Sequence, residues 1–413
     1  MDKILIVRAL VCGTLMITGV FAKAETVKIA MIESMSGTFA NLGLTELRTF
    51  QLVIDEVNKR NAANGVQFEV TAFDGKGSPQ ESLTQLKTVI DQGFRYITQG
   101  NGSAVGLALE AAVTKHNERE PGHEILYLNH SAIDPEMTNG KCSFWHFRFD
   151  ANSDMKAEAL TSAIKDDPSI IKVYIIGQDY SYGRAVSAAA KAYLKRKRPD
   201  IIIVGDAFHP IATVKDFSPY VANIKASGAD TVITGNWGAD LGLLIRAANN
   251  SGLNTKFYTF YASNAGVPTI IGDSGGAIVK LITPWHPNNE TFSGKELAEQ
   301  YRKRYNDDFS VPTIFNTVEM LSAAMQKAHS TDPKKVAFAL EGMQFRSFNG
   351  NVVMRASDHQ AIQPLYVAAW AKVDGKSVVY DQEKTGFGWK TEKKLDAFVS
   401  AQPTSCQMQR PPP

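Results

Sequence analysis

Cysteine is nearly absent, with three residues in a chain of 413. No Cys/His cluster occurs, so a cysteine-ligated metal module is excluded and no metal site is expected. Excess charge is also lacking. The formal net charge is +2, and no Lys/Arg stripe is interleaved with aromatics, which argues against nucleic acid as a partner. Beyond residue 24 no apolar run approaches the roughly 18 residues of a membrane-spanning helix. Catalytic signatures are missing too. There is no G-x-S-x-G and no P-loop. His123-Glu124 is followed by His130, not by a histidine four residues on, as a zinc helix needs. "GDSGG" at 272–276 resembles a serine-protease loop, but no histidine base precedes it in a suitable motif and the chain is not all-β, so Ser274 is not expected to be a nucleophile. The chain reads as a non-enzyme without cofactor.

What is present is an exported globular protein. Hydrophobic residues make up 44% and charged residues 21%, an ordinary balance for a folded chain long enough for two domains. Lys3 and Arg8 precede an apolar stretch from Ala9 to Phe21, and Ala22-Lys23-Ala24 has the form of a signal-peptidase site. Residues 1–24 are therefore expected to be removed, and Cys12, preceded by Val11, is not expected to be lipidated. Loss of Lys3, Arg8, Lys23 and Asp2 takes the formal charge from +2 to 0. Cys142 and Cys406 remain, and two thiols in an oxidising compartment imply one disulfide pinning the tail "TSCQMQRPPP" to the body.

The pattern alternates strand and helix. β-runs are expected at 26–33, 66–74, 94–99 and 124–130, then at 171–179, 200–208, 230–236, 256–262 and 277–285, and helices at 41–61, 78–93, 181–197, 216–227, 238–251, 293–307 and 313–328. Segments 365–375 and 377–384 read as a late hairpin, and 144–150 as a crossing between lobes. This repetition predicts α/β architecture with parallel sheets flanked by helices. The basic run Lys195-Arg196-Lys197-Arg198 ends one helix and is expected to complement its dipole in water.

"YITQGNGSAVG" (96–106) carries G-x-G-x-x-x-G between strand and helix. A dinucleotide fingerprint belongs at the first βα turn, with an acid ending the following strand. Here the turn is a later one, and the next strand ends Asn129-His130-Ser131. A nucleotide is thus not expected. The remaining feature is a helix start with Ser103 as N-cap and free N–H groups suited to an anion such as a carboxylate.

"SMSGTFANLG", "FDGKGSPQESLTQLKTVIDQG", "LNHSAIDPEMT", "QDYSYGRAVSAAAKAYL" and "GADTVITGNWGADLGLLIRAANNSGL" occur in this order. Together they resemble the periplasmic solute-binding proteins of branched-chain amino acid type ABC importers, over nearly all of the chain after the leader. The resemblance implies a type I periplasmic binding fold, two Rossmann-like lobes joined by a multi-strand hinge. An N-terminal lobe would comprise 25–149 plus about 286–360, a C-terminal lobe 150–285 plus about 361–400, and a tail 401–413. It also implies a periplasmic monomer without cofactor that binds a small-molecule carboxylate between the lobes and docks on an inner-membrane permease. The alternative is a soluble ligand-sensing module of the same fold. On matching positions, the first lobe would contribute Ser36, Phe39, Asn101, Gly102, Ser103, Asn129, His130 and Ser131. The second would contribute Tyr180, Tyr182, Asn236, Trp237, Tyr261 and Asn264.

The loop Ser131-Ala132-Ile133 lacks the hydroxyl with which amino-acid binders often help hold an ammonium, and Ala262 to Ala265 offers no acid. A buried ammonium without a counter-charge is costly. The expected ligand is therefore a small carboxylate, an aromatic or aliphatic acid without an α-amine in preference to the branched-chain amino acid that the resemblance also allows, with Phe39, Tyr180, Trp237 and Tyr261 as stacking surfaces for an aromatic body.

Overall fold

A computed structural model describes residues 25–63, 65–272 and 279–412. The expected leader and the Ser274 loop lie outside the described residues. β1 (Glu25–Glu33), β2 (Val66–Asp74), β3 (Tyr96–Gln99), β4 (Leu126–Asn129) and β5 (His146–Arg148) alternate with α1 (Ala40–Lys59), α2 (Pro79–Asp91) and α3 (Ser103–Arg119). The strands form one sheet, ordered β2-β1-β3-β4-β5, with every neighbour parallel. β3 and β4 are buried at every position, as strands covered by helices on both faces must be. α1 turns Phe50, Val53, Ile54 and Val57 inward, while Leu44 stays exposed. At α2, Ser78 Oγ accepts the Glu81 amide and Pro79 takes the first position, where its missing N–H costs nothing.

The chain then crosses into a second series: α4 (Ser153–Lys165), β6 (Lys172–Gln178), α5 (Ser181–Lys197), β7 (Ile202–His209), α6 (Ser218–Ser227), β8 (Thr231–Thr234), α7 (Gly238–Asn250), β9 (Lys256–Thr259), α8 (Val267–Ile271) and β10 (Val279–Thr283). It returns to the first lobe as α9 (Lys295–Tyr305), α10 (Thr313–Ala328) and α11 (Pro333–Leu340). There Ile314, Val318, Val336 and Leu340 join the core beneath β1, β3 and β4. A small antiparallel sheet follows, made of β11 (Gln344–Ser347), β12 (Gly350–Met354) and β13 (Ala361–Ile362). β14 (Leu365–Lys372), β15 (Phe387–Leu395) and α12 (Ala397–Ser400) complete the chain before the tail.

The second sheet runs β15-β14-β10-β9-β8-β6-β7. It is parallel from β10 to β7 but has an antiparallel margin of β14 and β15, so it is not parallel throughout as expected. The hairpin's second strand is also displaced from the expected 377–384. Asp374 Oδ1 accepts the amides of Lys376, Ser377 and Val378, and Asn288 Oδ1 accepts those of Val379 and Tyr380. With those donors engaged by side chains, the segment cannot enter a ladder.

The basic end of α5 does more than face water. Arg196 pairs with Glu158 of α4, and Lys197 Nζ lies 2.8 Å from the same carboxylate and bonds Thr161 and Ser162. Cys142 and Cys406 form a disulfide that spans 264 residues of sequence. It carries the chain leaving the second sheet back onto the first lobe, where Thr404 also donates to the Thr138 carbonyl at 2.7 Å.

Candidate functional site

A cleft of about 660 Å³ lies between the lobes. Four helix starts border it. Gly102 and Ser103 open α3, Tyr180 precedes α5, Trp237 precedes α7, and Pro312 precedes α10. Each start carries unpaired N–H groups and the positive end of a helix dipole. Three were built by the strand-then-helix repeats; the fourth comes from the returning chain at Ser310 to Thr313.

Ser103 is not the N-cap of α3. Gly102 holds that position at φ 85°, a left-handed conformation that glycine adopts without strain, and Ser103 is the first helical residue. Its buried Oγ accepts the Asp134 amide at 3.1 Å, leaving the hydroxyl proton free to donate into the cleft. Tyr180 is poised in the same way. Its oxygen accepts Trp237 Nε1 at 3.0 Å, so its proton is also free. Thr313 Oγ1 and Asn264 Oδ1 are buried at the cleft with no hydrogen-bond partner among the described residues. Buried polar atoms of this kind normally have one.

The remaining expected residues divide. Asn101, Gly102, Ser131, Tyr182 and Tyr261 line the cleft with those just described. Tyr182 commits its hydroxyl to the Gly235 carbonyl at 2.9 Å, and Tyr261 donates to the Ser131 carbonyl of the opposite lobe at 3.3 Å. Five do not line it. Ser36 is exposed in the first turn. Phe39 packs on Trp237 with centroids 4.2 Å apart, joining the lobes beside the cleft. Asn129 is spent on its own loop, accepting the amides of Ser131 and Ala132. Asn236 faces His209 within the second lobe, and His130 points away beneath the loop. The backbone amide of Asn101, expected beside Ser103 at the anion, donates to Glu33, as does that of Gly100.

Sequence reasoning missed Glu46, Asp150, Lys156, Phe260 and the 310–313 segment, all of which line the cleft. Lys156 Nζ lies 2.8 Å from Asp150 and 4.7 Å over the Tyr261 ring. Asp150 ends the crossing segment "FRFD", which was a readable sign that this acid sits between the lobes. Lys156 gave no such sign. Burial pushes the Glu46 carboxyl up to about 8, so near neutrality it is largely uncharged. Side-chain charge around the cleft is therefore nearly balanced, and the helix starts leave a positive excess.

A family model described as periplasmic binding protein matches residues 26–376. "Leu/Ile/Val-binding protein homolog 4" of Brucella melitensis is 32% identical over 429 residues, covering 99% of each chain. The closed form of a leucine-, isoleucine-, valine-, threonine- and alanine-binding protein from Brucella ovis is 30% identical. It has a TM-score of 0.83 and covers 94% of this chain and 100% of its own. A Rhodopseudomonas palustris solute-binding protein solved with 3,4-dihydroxybenzoic acid is 19% identical, with a TM-score of 0.77 and coverage of 90% and 98%. At that identity it shares the fold alone.

Proposed function

Since this chain belongs to the periplasmic binding protein family, whose members are solute-binding components of ABC transporters and not enzymes, we propose that it is exported to the periplasm, holds a small carboxylate in the inter-lobe cleft and delivers it to an inner-membrane permease. The observation carrying this reading is the meeting of four helix starts with three hydroxyls that have protons to give, those of Ser103, Tyr180 and Thr313. Such donors complement an anion, and a closed cleft strengthens each bond by excluding water. The aromatic walls suit an apolar or aromatic body. Binding to both lobes at once would favour the closed form.

Asp150 favours a second reading, a ligand that also carries an α-amine. It gives the cleft an acid that the segment 262–265 lacks, and relatives at 30–32% identity are named for leucine, isoleucine and valine, one of them also for threonine and alanine. Calorimetry with leucine, 4-methyl-2-oxopentanoate and 4-hydroxybenzoate separates the two. Binding of either acid without leucine supports the first reading, binding of leucine alone supports the second, and heat from none of the three counts against the carboxylate cleft. With whichever ligand binds, Ser103→Ala is expected to weaken affinity roughly 10- to 100-fold, the loss of one hydrogen bond to a charged group. An unchanged Kd would place the carboxylate elsewhere.

A further inference from the structure

Beneath the α3 loop, Glu33 from the end of β1, Glu46 from α1 and His130 after β4 offer one donor atom each, all within 4.8 Å of one another and all buried. The tautomer of His130 follows from its neighbour. Thr98 Oγ1 gives its proton to the Leu128 carbonyl at 2.8 Å, so the 2.9 Å contact to His130 Nδ1 requires Nδ1 to be the donor. The Nε2 lone pair then faces Glu46 Oε1 at 3.3 Å and Glu33 Oε1 at 3.7 Å, and has no hydrogen-bond partner among the described residues; nor has Glu33 Oε2. Two carboxyl groups and a bare imidazole lone pair converge in a dry site only where a proton or a metal cation lies between them, and the convergence of three donor atoms is what a cation would use.

We propose that this cluster is a divalent transition-metal site of the zinc class, with Glu33, Glu46 and His130 as ligands. Bonds of about 2.1 Å around a tetrahedral ion place neighbouring donors about 3.4 Å apart, close to the separations seen. The ligands are oriented from behind as metal ligands usually are. His130 Nδ1 is held by Thr98 and Glu46 Oε2 by Asn101 Nδ2 at 2.9 Å, while Glu33 Oε1 accepts the amides of Gly100 and Asn101, which leaves Oε2 as the Glu33 atom free to bind an ion. Gly100 allows this closeness, since a Cβ there would lie 2.4 Å from His130 Nε2. Glu46 also lines the cleft, so the cluster adjoins the solute site. Because the same loop carries Ser103, an ion here would brace the wall of the solute cleft.

The test uses untagged mature protein stripped with EDTA, exposed to Zn(II), desalted and assayed for metal, with no solute added, so it stands apart from the test of the cleft's ligand. One zinc per chain is expected in the wild type. Glu46→Gln, which keeps shape, and His130→Gln should each retain at least roughly 10-fold less. Co(II) should give the intense visible bands of a low-coordinate site in the wild type alone, a readout that needs no variant to fold. The proposal is overturned if the wild type holds no more zinc than Glu46→Gln, if both variants hold it undiminished, or if Co(II) shows only its aqueous spectrum. It is likewise overturned if a protonated-carboxyl infrared band assigned to Glu46 persists with zinc, since a proton would then occupy the place of the ion.

Discussion

Replacing Lys156 by Met is expected to lower stability by about 3–5 kcal/mol, the usual cost of leaving one charge of a buried pair alone. Lys156 is 1% exposed and Asp150 is 3% exposed, with 2.8 Å between their charged atoms. Without the ammonium, Asp150 keeps only the Ala151 amide on Oδ1. Its charge would also face the solute, so carboxylate affinity should fall with stability. Denaturant titration and calorimetry check both. Asp150→Asn combined with Lys156→Met should recover most of the stability, because the charge and its partner leave together. A single variant within 1 kcal/mol of the wild type would mean that the pair is well hydrated and that the cleft is not the dry site described.

Breaking the disulfide is the other large effect. The Cys142–Cys406 bridge closes a separation of 264 residues, for which chain entropy allows roughly 5 kcal/mol, with about 2–4 the common experience. Replacing both cysteines by Ser should therefore lower stability by a few kcal/mol, and dithiothreitol should do the same to the wild type. The unreduced protein should show no reactive thiol. Solute affinity should change little, because neither cysteine lines the cleft. A loss below 1 kcal/mol would show that the remaining tail contacts, such as Thr404 to Thr138 and Arg355 to the Gln402 carbonyl at 2.7 Å, already hold the strap.

Much of the fold was legible locally. α5 was expected at 181–197 and α10 at 313–328, and both occupy those residues. Their starts and apolar stripes are short-range features that a linear reading captures. α4 went unnoticed although Asp154, Glu158, Ser162 and Lys165 share one face, because Lys156 interrupts the apolar side and is buried there only through its pairing with Asp150. The strand misplaced at 377–384 looked β-like by composition. Its fate was decided by Asn288, about ninety positions earlier, which takes its amides.

The site divides along the same line. Sequence alone determined that strands lead into helices whose N-termini gather at one end of each sheet, and that Ser103, Tyr180 and Trp237 stand at such junctions. These follow from periodicity and turn chemistry over a few residues. Only the tertiary structure decided that Glu33 takes the amides of Gly100 and Asn101, that Lys156 meets Asp150 beneath Tyr261, and that His130 faces Glu46 instead of the solute. The physical reason is that parallel crossovers place strand ends side by side that lie tens of residues apart. Charges and lone pairs are then matched across that distance, where no local pattern records them.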